Sequence, residues 1–201
     1  MKTIAIALIA SLSACIVEYN PTTITVGDTR PATAIAPPVI VDSAPAWRLP
    51  RKVGETVEAE LDLRAGPTPF VLGLTADAEP ASGAEWQVVA TLLTALGASP
   101  DVAAECLQRR LDVAMGGVFD GAPSLAGLHW SDSLGHVVYV LAALGGAVDG
   151  PRAVERDRVL EHELAHMVQR CLGLGDGHPS EIFGDGGALV QVFGERHAGR
   201  Y

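Results

Sequence analysis

His162, Glu163 and His166 stand in the chain as His-Glu-Leu-Ala-His, and that spacing is the feature of the sequence with the clearest chemical meaning. On a helix, residues four apart lie one turn apart on the same face, so two imidazoles at this spacing can reach a single ion. Tetrahedral zinc, with Zn–N distances of ~2.0–2.1 Å, accepts such a pair without bending the helix. A glutamate next to the first histidine is placed to take a proton from metal-bound water, which is the chemistry of hydrolysis. The stretch from His162 to Ala188, "HELAHMVQRCLGLGDGHPSEIFGDGGA", holds three of the chain's six histidines. A third ligand must therefore be sought just downstream, where His178, Glu181 and Asp185 are the candidates.

A helix is needed to present the pair, and the pattern predicts one. In "RAVERDRVLEHELAHMVQRCLG", Val159, Leu160, Leu164, Met167, Val168 and Leu172 form a broad apolar side and Gly173 is the stop. Ahead of it, His136 to Leu144, "HVVYVLAAL", is rich in β-branched and aromatic residues, and its first part reads as a strand. The stretch from Gly116 to Gly135 reads as a loop, with His129 at the surface. Further back, "ETVEAELDLR" alternates apolar Val57, Ala59, Leu61 and Leu63 with acidic Glu58, Glu60 and Asp62, the period of a half-buried strand. Ala84 to Gly97 places Trp86, Val89, Leu92, Leu93 and Leu96 at helical spacing, with Trp86 in the core. Ser99-Pro100 opens a second helix, expected to run through Cys106 to about Met115.

Ile182-Phe183-Gly184-Asp185-Gly186-Gly187-Ala188, together with Pro179 and the HExxH helix, resembles the gluzincins of the peptidase MA clan. In that clan an acidic ligand follows the second histidine after eighteen or nineteen residues, and here eighteen separate Asp185 from His166. The resemblance covers about Val118 to Glu195. It implies a zinc metallopeptidase with an α+β, zincin-like domain: a mixed β-sheet, an HExxH active-site helix and a C-terminal helix carrying the third ligand. It further implies Zn2+ held by His162, His166 and Asp185, with Glu163 as general base. The segment from His136 also resembles the clan's edge strand, so an extended peptide or protein substrate would pair with His136 to Leu141. His178 and Glu181 remain alternative third ligands. For a residue that helps stabilise the oxyanion, Tyr139, His178, His197 and Tyr201 stay open.

The first residues suggest where this chemistry takes place. "MKTIAIALIASLSAC" has a lysine, an apolar run and small residues before Cys15, which reads as a signal peptide over residues 1–14, too short to span a membrane. Leu12-Ser13-Ala14-Cys15 resembles the lipobox of bacterial lipoproteins, so Cys15 is expected to carry a lipid anchor in the cell envelope, on an outer membrane. Residues 15–50 contain six prolines and read as the anchor and an extended tether, leaving residues 51–201 as one domain. A formal net charge of −10 argues against binding nucleic acid. Cys106 and Cys171, left as an even pair in an oxidising compartment, are expected to form a disulfide. A catalytically weak or inactive binding lipoprotein of the same fold is the alternative to the enzyme.

Overall fold

The computed structural model describes residues 48–63, 66–121, 125–145, 149–175 and 177–199. The signal peptide, Cys15, most of the tether and Tyr201 lie outside the described residues. Within them the chain is α+β, with helices packed on one face of a mixed sheet.

Six strands form the sheet: β1 (Thr56–Leu63), β2 (Gly66–Leu74), β3 (Glu79–Pro80), β4 (Leu111–Asp120), β5 (Gly127–Asp132) and β6 (Gly135–Leu141). Their order is β1-β2-β4-β6-β5, with β3 paired to β4; among the described residues only the β4·β6 pairing is parallel. The alternation read in β1 holds in space, since Val57 and Ala59 are buried while Glu58 and Glu60 are exposed. The sheet curls strongly. Phe70 on β2 and Trp130 on β5 have ring centroids 6.5 Å apart although β4 and β6 lie between their strands.

Because side chains alternate along a strand, β6 serves two cores. Val138 and Val140 join the cluster under the helices, whereas Val137 and Tyr139 join Phe70, Leu72, Leu128 and Trp130 inside the curl. Leu49 and Pro50 are buried as well, and the Tyr139 hydroxyl donates to Pro50 O at 3.1 Å. The last residues assigned to the tether are therefore part of the fold.

The helices begin at α1 (Gly83–Ala95) and α2 (Pro100–Leu107). A capping box starts α1: Ser82 accepts from Ala84 N–H, and Glu85 accepts from the Ser82 backbone. Ser99 caps α2 with Pro100 in its first turn. The second helix is shorter than the sequence suggested, because Leu111 to Met115 belong to β4, with Leu111 to Ala114 paired to β6. Apolar periodicity over so few residues does not separate helix from strand, and the partner strand decides. Next come α3 (Ala142–Gly145), α4 (Gly150–Cys171), α5 (Ser180–Phe183), α6 (Ala188–Phe193) and a 3₁₀ turn at Gly194–His197. A disulfide joins Cys106 on α2 to Cys171 at the end of α4. Closing a loop of this length stabilises the fold by about 4 kcal/mol in the chain-entropy view. No helix among the described residues is long and apolar enough to cross a membrane.

Two expectations about the sheet are corrected. The Gly116–Gly135 stretch, read as a loop, supplies the end of β4 and all of β5. Strand β6, read as the edge, is internal, because β5 folds back antiparallel along its outer side through the turn Ser133-Leu134. Glycine and serine made β5 look loop-like, yet Gly127 and Ser131 take ordinary register positions opposite Val140 and His136. The edge strand beside α4 is β5.

Candidate metal centre

Helix α4 lies across the helix-facing side of β5 and β6, and it buries the motif almost completely: His162 is 1% exposed, Glu163 and His166 are 0% exposed. The i, i+4 spacing does what the sequence implies. His162 Nε2 and His166 Nε2 stand 3.1 Å apart. The third imidazole is His178, whose Nε2 is 3.2 Å from that of His162. The ligand atoms of all three lie within 4.8 Å of one another, and among the described residues this is the group able to hold a metal ion. Nitrogens around tetrahedral zinc stand about 3.3 Å apart, given Zn–N distances of ~2.0–2.1 Å. The donor set therefore fits zinc in kind and in spacing.

His178 gets there through the end of the helix. Chain direction reverses after Cys171, with Gly173 at φ 64° and Gly177 at φ 85°, left-handed conformations that glycine adopts without strain. Gln169 holds the returning loop: its amide Nε2 donates to Gly175 O and, at 3.1 Å, to Gly177 O. Its Oε1 is 2.8 Å from His166 Nδ1. Both amide hydrogens being committed to carbonyls, Oε1 is the acceptor, so His166 carries its proton on Nδ1 and turns an Nε2 lone pair towards the other two histidines.

Phe183 of α5 closes the apolar side of the cluster, with ring centroids 4.9, 4.6 and 4.7 Å from those of His162, His166 and His178. Burial, followed by the neighbouring imidazoles of His166 and His178, pushes His162 well below the ordinary histidine value. The ring is therefore neutral, as a metal ligand must be. Glu163 packs beneath the start of β5, where a Cβ added at Gly127 would come within 2.8 Å of Glu163 Oε1 and 2.6 Å of Val159 Cγ1. The absence of a side chain at Gly127 makes room for the carboxylate.

Other candidates fall elsewhere. Asp185 sits exposed in the turn between α5 and α6, and its Oδ1 accepts from Gly199 N–H at 2.6 Å. The resemblance had placed it near the start of a second helix, but the helix starts only at Ala188. Gly187 allows that turn to be tight, since a Cβ there would lie 2.6 Å from Ile182 O. Glu181 is exposed and faces a groove beside Leu96 and Cys171. Of the oxyanion candidates, Tyr139 points into the curl of the sheet, away from α4, and His197 is buried with its Nε2 2.8 Å from Glu161 Oε2.

His129 is not a surface residue. It lies on β5, 5% exposed, with its Nε2 3.0 Å from His136 Nδ1 and its ring centroid 6.4 Å from that of His166. Burial, aided by nearby Arg170, lowers its pKa to about 3. His136 is likewise lowered to about 3, by burial first and then by His129. A period of two continued backwards from β6 across the two-residue turn was the signal that could have found this pair.

No family model matches the chain, and neither curated proteins nor solved structures yield a match.

Proposed function

We propose that this protein is a zinc-dependent hydrolase of peptide bonds, exported and held at a membrane by lipid on Cys15, with a zincin-like catalytic domain. The observation that carries the reading is the convergence of His162, His166 and His178 within ligand distance of one another, with Glu163 on the same helical turn. In this reading the ligand set is three histidines, and Asp185 is a structural clamp on the C-terminal segment. An antiparallel edge strand, β5, beside the motif helix supports the zincin-like assignment.

His162, His166 and His178 would hold zinc, which would supply Lewis acidity and lower the pKa of water at the site towards ~7. The protein's own groups do the rest. Glu163 takes the proton of the attacking water and passes it to the leaving amine, a role in which general bases contribute about 10²–10⁴-fold. Its low-dielectric surroundings keep that proton from exchanging with solvent. The outer edge of β5, the last strand in the sheet order, offers main-chain hydrogen bonds to an extended peptide, recognition that is largely independent of side-chain sequence.

Enclosure of the motif favours a second reading, a binding module that keeps the metal and has little activity, because Glu163 is 0% exposed. One set of variants separates the two. The wild type and Glu163→Gln are expected to hold one zinc per chain by elemental analysis, and only the wild type to cleave a mixed peptide library. Metal without cleavage in either would establish the binding module. His178→Ala is expected to bind zinc measurably but far more weakly than the wild type while Asp185→Ala keeps the wild-type affinity, and the reverse would restore the acidic ligand. No zinc in the wild type after supplementation would end both readings.

A further inference from the structure

Gln169 lies one turn beyond His166 and is 0% exposed, and its amide touches two separate parts of the centre. Its oxygen is 2.8 Å from His166 Nδ1, and its nitrogen donates to Gly175 O and Gly177 O on the loop that ends at His178. A side-chain amide has one acceptor oxygen and two donor hydrogens, and here each finds a partner of the right kind. Reversing the amide would set its oxygen against two carbonyl oxygens. The orientation is thus determined by the loop, and through it the loop determines which nitrogen of His166 carries the proton.

We infer that Gln169 is the positioning residue of the metal centre, coupling the two ends of the ligand set: it orients His166 for ligation through Nε2 and pins the return loop that delivers His178. The inference rests on the metal-binding reading. Helix α4 by itself presents only His162 and His166. The three glycines at 173, 175 and 177 leave the backbone of the return loop free to take many paths, so a clamp from the helix is what selects one.

The test is a double-mutant cycle on zinc affinity in the full exported chain, comparing wild type, Gln169→Leu, His178→Ala and the double variant by competition with a chromogenic chelator. Gln169→Leu is expected to weaken zinc about 10–100-fold, the usual effect of removing a partner of a metal-bound histidine. In the His178→Ala background the same change is expected to cost at least about threefold less, because the loop no longer brings a ligand. Equal losses in both backgrounds, or a lowered melting temperature with unchanged zinc affinity, would overturn the coupling. Should Gln169→Leu fail to fold, Gln169→Glu takes its place in the same cycle: it keeps an oxygen towards His166 and loses the donors to the loop. Amide hydrogen exchange over residues 173–178 of the metal-free protein gives a readout that does not depend on zinc. Faster exchange in the variant supports the pinning and unchanged exchange refutes it, even if the wild type were found to bind no metal.

Discussion

Two buried polar clusters face each other across the sheet, and they are built on opposite principles. On the face inside the curl, Arg51 is 5% exposed and lies between Asp112, 2.6 Å from its Nε, and Asp132, 3.0 Å from its Nη2. Desolvation would raise the Asp132 pKa, but hydrogen bonds from Arg51 and from the backbone N–H groups of Leu49 and Leu134 more than reverse it, and the net shift is downward. Arg110 also pairs with Asp112, at 2.9 Å, so the two carboxylates are met by two guanidinium groups. On the helix face, His162, His166 and His178 bring Nε2 atoms together around a common centre, and the amide partner of His166 keeps its proton on the far side of the ring. A closed set of charges staples the chain; three imidazole nitrogens converging in an apolar setting are able to hold a cation.

Breaking the closed set should have the larger effect on stability. Arg51→Met leaves buried Asp132 without its ion-pair partner and Asp112 with only the more exposed Arg110, and is expected to cost about 3–5 kcal/mol. Denaturant unfolding should report the same loss with zinc and with chelator. A loss that depended on zinc would mean that the two faces are not independent.

Gly127→Ala sharpens the contrast on the other face. Its Cβ would meet Glu163 and Val159, so the carboxylate must shift, at a stability cost of about 1–3 kcal/mol for overpacking. Zinc affinity is expected to stay within about twofold, since the imidazoles are untouched, while peptide hydrolysis falls about 10–100-fold by loss of aligned proton transfer. Parallel measurement of zinc content and kcat/KM checks this, and loss of both together would show that Gly127 supports the ligands as well.

Near neutral pH the smallest effect is that of His129 and His136. Both are neutral in the fold with pKa values lowered to about 3, while an unfolded histidine titrates near 6.5. Above pH ~6.5 neither state takes up a proton; below it the unfolded state does and the folded state does not, so stability falls as pH drops from about 6.5 towards 3, by up to ~1.4 kcal/mol per pH unit for each ring. His136→Asn is expected to flatten that slope by about one proton between pH 6 and 4, measured by urea unfolding of the metal-free chain. An unchanged slope would mean that His136 is not held neutral.

The elements that local pattern reveals are the ones the sequence identified. The alternation in Thr56–Leu63, the capping box at Ser82 and the apolar stripe of Gly150–Cys171 each express a period that a short segment carries by itself. Strand β5 escaped because Gly127, Ser131 and Asp132 have weak strand preference, and what makes them a strand is the register with β6. The fate of His129 followed the same logic: a histidine beside tryptophan looks superficial until its strand is laid against a helix.

By itself, then, the sequence determined the pair His162 and His166 with Glu163 between them, because helical spacing is a local property that any helix at this position must express. Tertiary structure alone decided the third imidazole and the place of Asp185. His178 is twelve residues past His166 and could occupy any point within reach of a glycine-rich loop. Only the hold of Gln169 on Gly175 and Gly177, and the packing of Phe183 against the three rings, bring it to the centre. Asp185, at the spacing that resembles an acidic ligand, is drawn instead to the backbone of Gly199. Sequence separation constrains how far a side chain can reach; its direction is set by contacts made with parts of the chain that the spacing does not describe.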